Sequence, residues 1–375
     1  VHAVQRRFLF LAGSGALSLA AIRPARAADI RIAMVGPLTG DQATIGEQMR
    51  RGAEMAVADL NARGGVLGGR ILLAMEDDGC DPRQAVSVAT RVVGRGVPFV
   101  VGHYCSAASI AASDVYADAG VLQISPGSTN PRFTERGLRN VFRVCGRDDQ
   151  QAAVAAEYAV RTFPGRAIAI TNDLTAPGVT LGDVFQATLH ARGVREVLRA
   201  QITKGESDFS AIVTRLKAAN VGVLYHAAYH REAALILRQA REAGMADLRL
   251  ISNDDLNVRD FWSIAGPGAA GSLFTFEADP RRNPEGAEVA RRFEASNYDP
   301  TGYTLYSYAA VQVFAQAAQT SGSVQSARLL GAMRGEGREF RTVLGPMRFD
   351  AKGDPTNAAY RVYEWRDGRY AEAAG

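Results

Sequence analysis

The chain has 375 residues, of which 43 are basic and 39 acidic, and its formal net charge is +4. The first 27 residues hold four arginines (Arg6, Arg7, Arg23, Arg26) and no acid, so the remainder balances at 39 basic and 39 acidic residues. A balanced chain offers no electrostatic basis for nucleic-acid binding. The three cysteines and five histidines form no metal-ligand spacing, so neither a metal nor a cofactor is expected.

Residues 1–27 have the pattern of an export signal. Arg6-Arg7 gives a positive start, Phe8 to Ile22 is apolar and small, and Ala25-Arg26-Ala27 has small-x-small cleavage character. Ordinary secretion is expected ahead of twin-arginine export, and no Cys stands at the cleavage point to carry a lipid anchor. Beyond it, short apolar runs at 30–35, 71–76, 98–101, 121–124, 141–144, 167–171, 198–202, 221–225, 248–252 and 273–276 alternate with helical patterns. That alternation predicts an α/β chain of parallel-sheet βα units. Helices are expected from Gly46 to Ala62, after Asp81-Pro82 to Gly94, from Ser106 to Ala119 closed by Gly120, from Asp148, and from an Asp208 cap to Asn220. About five strands precede Asp148 and about five follow it, which suggests two lobes. Helices at 284–296 and 303–320, then strand-like Gly345–Asp350 and Tyr360–Trp365, lack the strands for a third sheet and should pack on the earlier lobes. The expected division is 28–147 with 277–346, and 148–276 with 347–375, joined by several short crossings.

Catalytic readings fare poorly. Gly64-Gly-Val-Leu-Gly-Gly follows a helix and precedes a strand, the reverse of a dinucleotide turn. No phosphate loop, G-x-S-x-G elbow or H-E-x-x-H helix occurs. His103 and Asp114 lie near Ser106 in sequence, but nothing positions His103 as its base. The chain is not expected to be an enzyme.

Binding readings fare better. Gly102-His-Tyr-Cys-Ser-Ala-Ala-Ser and Ile124-Ser-Pro-Gly-Ser-Thr-Asn-Pro each begin where an apolar run ends and hydroxyls take over. Ends of adjacent parallel strands open onto a ligand crevice, and helix N-termini suit anions. Ser106 reads equally as a plain N-cap and as a carboxylate donor; Thr129 reads as a turn residue or a donor, with Gly127 permitting close backbone approach. In the second half, Tyr229 and Asp254 follow strand-like runs and offer a phenol and a carboxylate to an ammonium, although Asp254 alone also reads as a cap for a helix over Val258–Ile264. Donors on one side and acceptors on the other describe an α-amino acid. Cys80 and Cys105, each just past a strand, are expected to pair across neighbouring strands, leaving Cys145 as a buried thiol.

Several motifs in order carry a resemblance: Asp77-Asp-Gly-Cys-Asp-Pro-Arg-Gln-Ala-Val, Val101-Gly-His-Tyr-Cys-Ser, Ser125-Pro-Gly-Ser-Thr, Tyr229-His, Leu237-Arg-Gln-Ala-Arg-Glu-Ala-Gly and Gly345-Pro-Met-Arg-Phe-Asp-Ala-Lys-Gly-Asp. Across essentially all of residues 28–375 the chain resembles the periplasmic leucine/isoleucine/valine-binding receptors of ABC importers, with the type I periplasmic binding fold. The resemblance implies carboxylate donors at Ser106 and Thr129, a backbone contact at Gly127, an ammonium side at Tyr229 and Asp254 (an Asp where the family has Glu), and a Cys80–Cys105 disulfide. It also implies a changed side-chain pocket, with Ile45 and Pro177 replacing tyrosines, Tyr104 replacing a leucine, and Tyr303 entering from the tail. The implied protein is a periplasmic monomer that closes on a branched-chain or other apolar amino acid and delivers it to an inner-membrane permease. The alternative is the same fold binding an aromatic or amide-type carboxylate, or serving as a sensor input.

Overall fold

The computed structural model describes residues 27–335 and 337–374; the expected export signal, apart from Ala27, lies outside the described residues. The first sheet grows from β1 (Ile30–Gly36), α1 (Ala43–Ala62), β2 (Ile71–Asp77), α2 (Pro82–Gly94), β3 (Phe99–Gly102), α3 (Ser106–Ala119), β4 (Leu122–Ser125), α4 (Arg132–Glu135) and β5 (Val141–Arg143). Its strands are parallel in the order β2-β1-β3-β4-β5. The continuous apolar run of β3 is buried throughout, and so is β4, where Gln123 and Ser125 are buried along with Leu122 and Ile124, as expected of parallel strands covered on both faces. Helix α1 buries Ile45, Met49, Ala53, Ala56, Val57 and Leu60 on one stripe. Helix α2 starts where its chemistry dictates: the Asp81 carboxylate accepts from the Arg83 and Gln84 N–H groups at 2.9 and 2.8 Å, with Pro82 in the first turn. Gly120 ends α3 at φ 70°, a left-handed value that favours glycine.

The second sheet grows from α5 (Asp148–Thr162), β6 (Ile168–Asn172), α6 (Ala176–Ala191), β7 (Leu198–Gln201), α7 (Ser210–Ala218), β8 (Val223–Ala227), α8 (His230–Glu242), β9 (Arg249–Ser252), α9 (Arg259–Ala265) and β10 (Leu273–Glu277). The chain then adds α10 (Pro284–Ala295), α11 (Thr304–Ser321), α12 (Ser326–Met333), a small hairpin of β11 (Phe340–Thr342) and β12 (Gly345–Met347), and finally β13 (Tyr360–Arg366) and β14 (Arg369–Glu372). The order is β14-β13-β10-β9-β8-β6-β7, with β13 and β14 antiparallel at one edge. Helix α11 lies against the first sheet: Phe314 stacks on Phe99 at 4.4 Å, and Ser307 Oγ donates to the Met49 carbonyl at 2.7 Å. Among the described residues, three connections therefore run between the sheets, at 144–147, 278–283 and 348–359. Helix α12 and strands β11 and β14 went unread in the sequence. The Asp208 expectation shifts slightly: α7 begins at Ser210, and the Asp208 carboxylate accepts that residue's N–H at 2.9 Å.

Cys80 and Cys105 are bonded and Cys145 is a free buried thiol. The expected reason needs correction, because β2 and β3 are not neighbours. Strand β1 lies between them, and the loops after β2 and β3 meet over its end with Cα atoms 5.4 Å apart. Closing a separation of 25 residues is worth about 3 kcal/mol in the chain-entropy model. The double substitution to serine should lower unfolding free energy by about that amount. Thiol titration of the denatured, unreduced protein should count one free thiol; a count of three would contradict the bond.

Candidate functional site

The loop after β3 is anchored from beneath. His103 is fully buried, with Nδ1 2.6 Å from Asp78 Oδ2 and Nε2 3.1 Å from the Tyr116 hydroxyl. Its carbonyl accepts from Ser125 Oγ at 2.6 Å. His103 therefore ties the β3 and β4 loops together and does not face Ser106 as a base. Ser109 Oγ and Ser128 Oγ lie 2.6 Å apart, and Ser128 Oγ donates to the Tyr104 carbonyl at 2.8 Å. Ser106 opens α3, but the N-cap position belongs to Cys105 and no side chain caps the helix. The Ser106 hydroxyl instead accepts from the Asn130 N–H at 3.2 Å. A plain cap is thus the wrong account of Ser106.

From Thr129 a chain of polar contacts crosses to the second sheet. The Thr129 carbonyl accepts from the Asp148 N–H at 2.9 Å, and the Thr129 hydroxyl sits beside the Asp148 carboxylate. Gln151 Nε2 donates to Asp148 Oδ1 at 3.1 Å and to Asp254 Oδ1 at 2.7 Å. Gln151 Oε1 accepts from the Asp254 N–H and from Thr275 Oγ, at 3.1 and 2.9 Å. The Tyr303 hydroxyl donates to Asp254 Oδ2. Beside it, the Tyr104 hydroxyl donates to Asp255 Oδ1 at 2.6 Å, and Asp255 Oδ2 meets the His230 N–H at 2.7 Å and Nδ1 at 2.8 Å. The Tyr104 and Tyr303 rings meet edge to face with centroids 5.1 Å apart, and Gly127 lies directly against both. Asn130 Nδ2 adds a bond to Thr180 Oγ of α6 at 3.1 Å.

The electrostatics follow from burial. Asp148 is pushed up to about 7 by desolvation and then by the charge of Asp254. Asp254 is pushed up to about 6 by desolvation, against the hydrogen bonds from Tyr303 and Gln151. Asp255 goes the other way: burial alone would raise it, and His230 together with Tyr104 holds it below the ordinary carboxylate range. Asp148 and Asp254 therefore keep their protons to higher pH in the folded protein than an ordinary carboxylate does. Their contribution to stability is present below the unfolded carboxylate pKa and is lost as pH rises through about 6 to about 7. A bound cation reverses that sign, because it favours the ionised pair. The rise in melting temperature given by any ligand that seats a cation here should therefore grow between about pH 5 and about pH 8. A flat profile would contradict a cation seated on these carboxylates.

Ser106, Gly127, Thr129, Tyr104, Tyr303 and Asp254 are brought to one place by these bonds. Tyr229 is not joined to Asp254: its hydroxyl is 4.0 Å from Cys80 Sγ, and Lys204 Nζ sits 4.3 Å from its ring centroid. Ile45 is buried in the first turn of α1, and Pro177 is half-buried at the start of α6. Asp254 caps no helix; it begins a short 3-10 turn, and α9 follows from Val258. Asp148, Gln151 and the Asp255–His230 pair were missed as site residues, and the only signal for Asp255 was its place beside Asp254. Among the described residues no cluster of His, Cys, Asp and Glu is arranged to hold a metal, and no helix is long and apolar enough to cross a membrane.

A family model described as periplasmic binding protein matches residues 29–369. The chain is 45% identical over 346 residues to a Leu/Ile/Val-binding protein homolog 2 of Brucella abortus, covering 92% of this chain and 93% of that one. It is 40% identical over 353 residues to the Leu/Ile/Val-binding protein BraC3 of Rhizobium johnstonii, covering 94% and 96%. Among solved structures, a leucine-binding protein LivK of Thermotoga maritima aligns with a TM-score of 0.85 at 26% identity, covering 92% of this chain and 98% of that one. A solute-binding protein of R. palustris in complex with benzoate shares the fold, with a TM-score of 0.81 at 19% identity, covering 92% and 95%.

Proposed function

The chain belongs to the periplasmic binding protein family, whose members are solute receptors of ABC importers rather than enzymes, and on that premise we propose how it holds its ligand. The ligand is a free α-amino acid. Its carboxylate is taken by the hydroxyl and N–H groups of Ser106 and Thr129 beside Gly127, and its ammonium by Asp254 with Asp148 close by. One observation carries this reading: two buried carboxylates, bridged by one glutamine amide, stand next to a hydroxyl rim at two strand ends. Such a pair is costly to ionise without a cation, and an adjacent rim of donors suits the anion of the same small molecule. Tyr229, whose hydroxyl feels the charges of Asp255 and Asp148, lines the ammonium side from near the disulfide.

Residues 28–147 with 277–346 form one lobe, and 148–276 with 347–375 the other; they close by a hinge on the ligand. The protein acts as a periplasmic monomer that hands the amino acid to a membrane permease. Apolar side chains are favoured, branched aliphatic first and aromatic second, in a pocket framed by Ile45, Tyr104, Pro177 and Tyr303. One methylene in such a pocket is worth only about 1–3 kcal/mol, so leucine, isoleucine and valine should bind within about a hundredfold of one another. The Tyr104–Tyr303 aromatic pair favours an aromatic carboxylate as the second reading. A thermal-shift panel of the standard amino acids and benzoate decides between them: branched-chain amino acids should raise the melting temperature most, and a response to benzoate alone would establish the second reading.

A further inference from the structure

We infer that Arg143 is the positioning residue for the Thr129 anion donor, and that Asp354 couples it to the connections between the two sheets. The inference rests on the ligand assignment of Thr129 proposed above.

Arg143 ends β5 and is fully buried. Its Nη1 donates to the Ser128 carbonyl at 2.5 Å and its Nη2 to the Asn130 carbonyl at 2.9 Å. The two carbonyls flank Thr129, so one planar guanidinium fixes the peptide on both sides of the donor. Nη2 also donates to Thr134 Oγ at 2.7 Å, and Nε to Asp354 Oδ1 at 2.7 Å. The fork is therefore held as well as holding. A lysine places one compact charge and cannot span two carbonyls in a fixed plane.

Asp354 arrives from the last connection, 348–359, and Arg147 from the first, 144–147. Asp354 Oδ2 accepts from Arg147 Nη1 at 2.9 Å, so one carboxylate joins both connections to Arg143. Its loop is rigidly seated: Asp350 Oδ1 accepts from the N–H groups of Lys352, Gly353 and Asp354 at 2.8, 2.9 and 3.0 Å. The Arg143 N–H donates to the Gly353 carbonyl at 3.1 Å. A side chain at Gly353, where φ is 104°, would meet the Val141 carbonyl at 2.3 Å, so glycine lets the loop reach the strand. A buried ion pair by itself is weak evidence of stability. Here its geometry points to orientation: it sets the donor's position from the same segments that must move when the lobes close.

The test uses the full chain and its Arg143→Lys and Asp354→Asn variants. Hydrogen exchange of the ligand-free proteins reads the segment 127–130 directly, and calorimetry with L-leucine reads affinity. Exchange at 127–130 should rise at least tenfold in both variants, with α1 and the second sheet unchanged, and L-leucine affinity should fall about tenfold or more, further for Arg143→Lys. Unchanged exchange and affinity would overturn the inference. So would loss of protection across the whole first sheet, which would mark Arg143 as general support for the fold. If L-leucine fails to bind the parent protein, the amino-acid reading falls, and exchange at 127–130 alone decides the positioning role.

Discussion

Asp254→Asn is expected to weaken amino-acid binding by on the order of 3–5 kcal/mol, with Asp254→Ala abolishing it. The carboxylate is buried, takes Gln151 and Tyr303 as donors, and has Asp148 on the other arm of the same amide. Asparagine keeps the size and can still accept from Tyr303, so the fold should survive. What disappears is the charge opposite the ligand's ammonium, which is then left desolvated and without its counter-ion. Removing a carboxylate whose folded pKa is raised also relieves repulsion with Asp148, so the ligand-free variant should melt no lower than the parent at about pH 8. Calorimetry on both variants checks the binding loss. Affinity within about threefold of the parent would move the ammonium to Asp255 or Asp148.

Gly127→Ala should cost binding more than stability. Gly127 has no left-handed backbone angle, so alanine brings no local strain and isolates a steric effect. Its Cβ would lie 2.6 and 2.9 Å from Tyr104 Cδ2 and Cε2, and 3.0 Å from Tyr303 Cε1. The Tyr104 ring is not free to swing away, because its hydroxyl is bonded to Asp255 across to the second sheet. Overpacking of this kind typically costs 1–3 kcal/mol. The displaced ring also gives up the Asp255 bond that helps close the two halves. Affinity for L-leucine should therefore fall roughly tenfold to a hundredfold, by the usual conversion of 1.4 kcal/mol per decade. Adding Tyr104→Leu should restore the part of the loss due to the clash, though not the part due to the Asp255 bond, which leucine cannot make. No loss in the single variant, or no recovery in the double, would show that the Tyr104 edge does not govern the site.

Much of this architecture was legible because burial writes itself into the sequence at short range. The apolar run of β3, the Asp81-Pro82 start of α2 and the Gly120 stop of α3 each depend on neighbours within a few residues. Strand order does not, which is why Cys80 and Cys105 were expected on adjacent strands when β1 separates β2 from β3. The hydroxyls of Ser106 and Thr129 stood out because small polar residues directly after apolar strands are a local signal. Asp148 carried no such signal: acids in a helix's first turn are common, and its role beside Thr129 depends on a crossing between sheets. Tyr303 was legible through the resemblance as a pocket residue from the tail, but not as the partner of Asp254, 49 residues away. Asp354 was legible as the last residue of a motif and Arg143 only within the strand-like run 141–144; 211 residues apart, they were not legible as partners.

The central claim is that one site reads carboxylate and ammonium together, and matched analogues test it most directly. Calorimetry at about pH 8, where Asp148 and Asp254 are ionised in a cation's presence, compares L-leucine with its amide, which lacks the carboxylate, and with 4-methylpentanoate, which lacks the ammonium. Sites built to hydrogen-bond a polar group reject the analogue lacking it by as much as about 10⁴-fold. L-leucine should bind, and each analogue should bind at least a hundredfold more weakly. Equal or tighter binding of 4-methylpentanoate would contradict the account, removing Asp254 and Asp148 from ligand recognition and leaving a simple carboxylate receptor.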